Sequence, residues 1–186
     1  MELGGGRGSS AYSLGGVAAG KLAIVLDTAA LLAGEQFLLP RYLADLYTTR
    51  GNVEEVRDAE SRDALDRALD LGLIAVAEPS PKYVRRVMAM ARELGELPSL
   101  SEVDVEVASL ALELAEAGRQ VLVLTDDRDL QNLLVHMGIG FRPVRDRGIR
   151  EARRYRAFCP NCGYVPGKPG ETVCPLCGSR IVKVPS

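Results

Sequence analysis

Leu22-Ala23-Ile24-Val25-Leu26-Asp27 is an unbroken apolar run closed by an acid. A strand with one face in water alternates apolar and polar residues. A run without alternation suits a strand covered on both faces, as in the parallel sheets of α/β domains. Val121-Leu-Val-Leu124, ending at Thr125-Asp126-Asp127, reads the same way, as does Leu73-Ile-Ala-Val-Ala77, stopped by Glu78-Pro79. Gly140-Phe-Arg-Pro-Val144 reads as a short edge strand, because Pro143 cannot donate to a ladder. Between these runs, apolar residues recur at helical spacing over 37–47, 52–71, 80–94, 102–117 and 128–137. The expected fold is α/β, with a parallel sheet flanked by helices.

In open α/β sheets, ligands sit beyond the carboxyl ends of the strands. Asp27 falls there after the first strand, and Asp126/Asp127 after the 121–125 strand. Two further acids open helices that reach the same edge: Glu55, in the first turn of a helix beginning near Asn52, and Asp104, in the first turn after Ser101. Carboxylates gathered in one crevice repel unless cations lie among them. Mg²⁺ or Mn²⁺ suits hard oxygen donors and supports phosphodiester hydrolysis. Each acid also has a plainer role. Ser101-Glu-Val-Asp104 reads as a capping box with Asp in the Glu position, Asp127 as the cap of the next helix, and Glu55 as part of a solvated face. Asp27, directly after a buried strand, is the hardest to explain by structure alone.

All four cysteines lie near the C-terminus, as Cys159-Pro-Asn-Cys162 and Cys174-Pro-Leu-Cys177. Paired CxxC knuckles at this spacing read as a tetrahedral Zn²⁺ site with four thiolates at roughly 2.3 Å, closed and therefore structural. Gly163 and Gly178 supply the tight turn after each knuckle. Two disulfides are the competing reading.

The net charge of −2 hides an asymmetry: residues 1–141 carry 13 Lys/Arg and 22 Asp/Glu, whereas residues 142–186 carry 10 and 3. A basic tail on an acidic body suits a protein whose tail holds a polyanion. Residues 145–157 hold six arginines against two acids and mark a boundary. The expected organisation is a Gly/Ser/Ala-rich flexible tail over 1–20, an α/β domain over 21–144, a basic linker over 145–156 and a zinc ribbon over 157–186. Lys21 and Asp27 interrupt the one run that mimics a signal peptide, and no stretch reaches the roughly 18 apolar residues of a membrane span. The expectation is a cytoplasmic protein with no membrane partner. His136, the only histidine, lies in an apolar helix end and reads as structural. No glycine-rich loop follows a strand to cradle phosphates.

In order, Asp27, Tyr47-Thr-Thr49, Val53-Glu-Glu-Val-Arg-Asp58, Leu100-Ser-x-x-Asp104, Leu124-Thr-Asp-Asp127 and Leu130-Gln-Asn132 make the chain resemble a PIN-domain nuclease. With the cysteine quartet appended, it is similar to the archaeal Nob-type endoribonucleases of ribosome biogenesis. The resemblance implies a divalent-metal-dependent endoribonuclease that cuts precursor small-subunit (16S) rRNA near its mature 3′ end, within a pre-ribosomal particle. It implies Asp27, Glu55, Asp104 and Asp127 as catalytic, Mg²⁺- or Mn²⁺-holding residues, with Glu54 and Asp126 as alternative registers. Arg147, Arg150, Arg153, Arg154, Arg156 and Tyr155 are the expected RNA contacts, with Phe158 a further stacking surface or a ribbon core residue. The chain departs from the pattern in its N-terminal extension, in the stretch between Asp27 and Tyr47, and in Arg50, where a proline is expected. Competing readings are a non-catalytic rRNA-binding assembly factor, a PIN nuclease acting on another RNA, and a nuclease acting on DNA.

Overall fold

The computed structural model describes residues 21–145 and 147–186; the expected tail over 1–20 lies outside the described residues. Five parallel strands form one sheet: β1 (Leu22–Leu26), β2 (Ala44–Thr48), β3 (Ile74–Val76), β4 (Val121–Leu124) and β5 (Gly140–Arg142). Their order is β3-β2-β1-β4-β5, so the two most apolar strands, β1 and β4, lie side by side near the centre. β5 is an edge strand, as Pro143 suggests. The helices are α1 (Thr28–Leu32), α2 (Glu35–Leu38), α3 (Arg50–Glu55), α4 (Ala59–Asp70), α5 (Pro81–Glu93), α6 (Glu102–Glu116) and α7 (Arg128–His136).

The unbroken run at 22–26 is explained by the two cores. Ala23 and Val25 pack with α5, α6 and α7 residues on one face. Ile24 and Leu26 pack with α1 and α4 residues on the other. Side chains alternate across a strand, so both parities must be apolar.

Two expectations change. The helix read over 37–47 is a strand in its second half. The helical segment is only Glu35–Leu38, and Ala44–Thr48 pairs in parallel with β1, Leu22 opposite Ala44 and Val25 opposite Tyr47. Asp45 breaks the apolar run of this strand, but its carboxylate takes Arg119 Nη2 at 2.8 Å. A charge 74 residues away in sequence therefore lets a strand carry an acid. The helix read over 52–71 is two helices. Val56 turns inward, 3 % exposed, and Asp58 restarts the chain as the N-cap of α4, accepting from Ser61 N–H at 2.8 Å. The first helix starts earlier than Asn52, capped by Thr49. Glu55 consequently ends α3 and does not lie in its first turn.

Beyond the sheet, β6 (Tyr155–Phe158) and β7 (Val182–Pro185) pair antiparallel and carry the cysteine knuckles. Gly163 and Gly178 take φ of 77° and 72°, left-handed values that a Cβ resists. This small ribbon is seated on the sheet domain. Tyr155 N–H donates to Leu94 O at 3.0 Å, and a Cβ on Gly95 would lie 2.4 Å from Tyr155 O. Among the described residues no helix is long and apolar enough to cross a membrane.

Candidate active site and cysteine centre

Asp27 leaves the end of β1 and caps α1, accepting from Thr28 N–H at 2.7 Å. It is 8 % exposed. Thr125, at the end of adjacent β4, donates its hydroxyl to Asp27 Oδ2 at 2.6 Å. Burial pushes the Asp27 carboxyl up to about 6, and the charges of Asp104 and Asp127 push the same way, against the two hydrogen bonds.

The other acids arrive on helix ends. Ser101 and Asp104 form the expected capping box: Asp104 N–H donates to Ser101 Oγ at 3.0 Å, and Ser101 N–H to Asp104 Oδ2 at 2.7 Å. Burial raises the Asp104 pKa, and Asp127 and Glu55 add to it. Asp127 caps α7, accepting from Leu130 N–H at 2.8 Å. Glu55 is exposed, yet its Oε2 lies 2.6 Å from Thr28 Oγ1, which is also 2.9 Å from Asn52 Oδ1. The capping roles and the shared crevice therefore coexist, because a cap uses one face of a carboxylate and leaves its charge in place.

The register alternatives have other engagements. Asp126 Oδ1 accepts from Val144 N–H at 2.8 Å and Arg145 N–H at 3.1 Å, fastening the chain that leaves β5. Glu54 pairs with Arg50 one turn back at 2.9 Å.

Among the described residues, neither Lys nor Arg forms an ion pair with Asp27, Glu55, Asp104 or Asp127. An all-oxygen crevice in which Asp27 and Asp104 have raised pKa values, with no Lys or Arg of the described residues paired to it, fits a hard divalent cation. The carboxylates are more open than the cysteines, which are the group of potential ligands found within 4.8 Å of one another among the described residues. Thr28, Asn52 and Thr125 are the site residues that sequence reasoning passed over. Only the position of Thr125, between an apolar run and two acids, offered a signal.

In the ribbon, Cys159 and Cys174 are buried while Cys162 and Cys177 are exposed, and none is joined in a disulfide. Their sulfurs stand 3.4 Å (159–177), 3.5 Å (162–174) and 3.7 Å (162–177) apart. A disulfide needs about 2.05 Å, whereas a tetrahedron of about 2.3 Å Zn–S bonds has edges near ~3.8 Å. The quartet is thus compatible with a zinc ribbon. Arg147, Arg150, Arg153, Arg154 and Arg156 are exposed. Tyr155 is half-buried, and Lys183 Nζ stands 4.4 Å from its ring centre. His136 Nε2 lies 3.1 Å from Arg153 O, a structural place as read.

Residues 24–114 match the family described as PIN domain of ribonuclease. The chain is 35% identical to Endoribonuclease Nob1 of Pyrococcus abyssi over 167 residues, covering 89% of this chain and 95% of that protein. It is 43% identical to Ribonuclease VapC3 of Aeropyrum pernix over 129 residues, 69% of this chain and 91% of that protein. It is 28% identical to the 20S-pre-rRNA D-site endonuclease NOB1 of Saccharomyces cerevisiae over 92 residues, half of this chain and 20% of that protein. With a carboxylate crevice on a PIN sheet and a four-cysteine ribbon after it, the chain belongs to the Nob1 family of endoribonucleases.

Proposed function

We propose that this endoribonuclease is divalent-metal-dependent and cleaves precursor small-subunit rRNA near its mature 3′ end, within a cytoplasmic pre-ribosomal particle. The observation that carries the reading is the acidic crevice: burial, and then neighbouring carboxylate charge, raises the pKa of Asp27 and Asp104, and among the described residues neither Lys nor Arg pairs with the four acids. A precursor-rRNA substrate is supported by the likeness to a protein named 20S-pre-rRNA D-site endonuclease together with the basic stretch over 142–186.

Asp27, Glu55, Asp104 and Asp127 would hold Mg²⁺ or Mn²⁺. The bound cation supplies Lewis-acid stabilisation of charge developing on the phosphodiester. Thr125 and Thr28 N–H fix the Asp27 carboxylate by two short bonds. The Thr28 hydroxyl orients Glu55, tying the exposed end of α3 to the buried edge of the sheet. Cys159, Cys162, Cys174 and Cys177 would hold a structural Zn²⁺, and the arginines of 147–156 would meet the RNA backbone.

The test is cleavage of a precursor rRNA spanning the 16S 3′ end, with Mn²⁺, wild type beside Asp27→Asn. The expected result is one mapped cut that the mutant lacks while still binding RNA. Equal cleavage by the mutant sinks the site assignment. A second reading, a PIN nuclease with another RNA target, draws on the 43% identity to a protein named ribonuclease VapC3. Preferential cutting of an unrelated RNA would favour it.

A further inference from the structure

Residues 147–153 do not hang free between the two units. Gln131 Oε1 accepts from Ile149 N–H at 2.9 Å. Asn132 accepts from Arg153 N–H at 2.7 Å and donates to Arg153 O at 2.8 Å. Both side chains are buried residues of α7. They fasten the arginine-rich backbone along that helix and close a cleft of about 730 Å³ at the junction with the ribbon.

The cleft begins where the carboxylate crevice ends. Asp127 caps α7, and the next two residues, Arg128 and Asp129, already form its wall. Two of its acids, Glu96 and Asp129, are bonded to Lys183. The lining also carries Glu151 and the exposed arginines Arg147, Arg150 and Arg153. Arg154 and Arg156 do not line it, and Arg156 lies on β6 opposite Val184. The arginines expected to meet RNA are therefore split into two sets by the fold.

We propose that this cleft is a subsite for single-stranded RNA on one side of the scissile phosphodiester, with Arg147, Arg150 and Arg153 on its phosphates. The assignment rests on the nuclease reading above. A slot walled by α7 and the arginine stretch admits one backbone, whereas a duplex presents two on a broad surface. One flank of the cut must then be unpaired, and its register is set by the step from Asp127 to Arg128.

The test is fluorescence anisotropy on the zinc-loaded chain, without chelator and without added Mg²⁺ or Mn²⁺, with a labelled oligouridylate and with an RNA duplex, at several salt concentrations. Arg147→Ala/Arg150→Ala is compared with Arg154→Ala/Arg156→Ala, which removes the same charge. The cleft pair is expected to weaken oligouridylate binding about tenfold and to flatten the salt slope by about 1.4, from ~0.7 per phosphate contact on single strands. The other pair is expected to lose less than about threefold, and the cleft pair is expected to leave duplex binding nearly unchanged. Equal losses from both pairs, no loss from the cleft pair, or an equal loss on duplex would overturn the assignment. The assay supplies no Mg²⁺ or Mn²⁺ and breaks no bond. Failure to cut a precursor rRNA would count against the nuclease reading and leave this result standing.

Discussion

Thr125 donates its hydroxyl to Asp27 Oδ2 at 2.6 Å, joining the ends of two adjacent buried strands. The carboxylate most deeply set in the crevice is thus held from β4 while its own chain turns into α1. Thr125→Val keeps the shape and removes the donor. Leaving a buried carboxylate short of a partner costs about 1–3 kcal/mol, and the Asp27 pKa should rise further. The measurements are a denaturant melt and an NMR titration of the Asp27 carboxyl. An unchanged pKa would show that Thr125 does not hold the acid.

The Asp27 carboxyl titrates near 6 in the folded chain, against an ordinary 3.8. Between those values the folded state binds the proton that the unfolded state has released, so stability falls as pH rises through the window. Metal-free protein should therefore be more stable at pH 4 than at pH 7 by up to ~3 kcal/mol from this group, taking about 1.4 kcal/mol per unit. The difference between wild type and Asp27→Asn isolates the contribution from the other acids. Protons and cation compete for the same oxygens, so Mn²⁺ affinity should drop below about pH 6. A pH-independent Mn²⁺ affinity in isothermal titration would remove Asp27 from the cation site.

Thr28→Ala tests the tie between α1 and α3. The hydroxyl lies 2.6 Å from Glu55 Oε2, and the threonine is near the surface, so stability should change by only about 0.5–1.5 kcal/mol. If Glu55 serves the cation, the loss should appear in Mn²⁺ affinity and cleavage rate, and Glu55→Gln should produce the same loss. A Thr28→Ala enzyme with wild-type Mn²⁺ affinity would return Glu55 to a solvated face.

β1 and β4 were legible because a strand buried on both faces leaves no polar residue inside its run. β2 was not, because the Asp45 charge is answered by Arg119, whose position follows only from the closed sheet. The acids at 27, 104 and 127 were legible from strand ends and a cap pattern. Glu55 was misplaced within its helix, since nothing local signals that Val56 turns into the core. Thr28 and Asn52 were silent: hydroxyls and amides are common on surfaces, and theirs gain meaning only when α1 and α3 meet. The seating of the ribbon was hidden too, because Glu96 and Lys183 are 87 residues apart.

Lys183→Met tests that seating. Glu96 has no exposure, and its carboxylate bonds the Lys183 ammonium and the Asn132 amide. Removing one partner of a buried ion pair typically costs about 3–5 kcal/mol, because the other charge stays buried. The partial exposure of Lys183, 21 %, points to the lower end. Glu96→Gln in the same chain should restore much of the loss. A melt showing no recovery in the double mutant would mean that Lys183 acts through Asp129 or Tyr155 instead.

Metal removal from the cysteine centre should reach beyond the ribbon for the same reason. Four thiolates without a cation repel, the knuckles open, and β7 carries Lys183 away from Glu96. Chelating the zinc should therefore lower the melting temperature of the sheet domain as well as weaken RNA binding. The carboxylate crevice is built from β1, β4, the end of α3 and the caps of α6 and α7, none of which the ribbon supplies, so Mn²⁺ binding should survive at temperatures below that melt. In Glu96→Gln the buried charge is gone, and chelation should destabilise the sheet domain less. Calorimetry of both proteins, each with and without chelator, reads these outcomes. Loss of Mn²⁺ binding in a still-folded sheet domain would mean that the ribbon shapes the crevice directly.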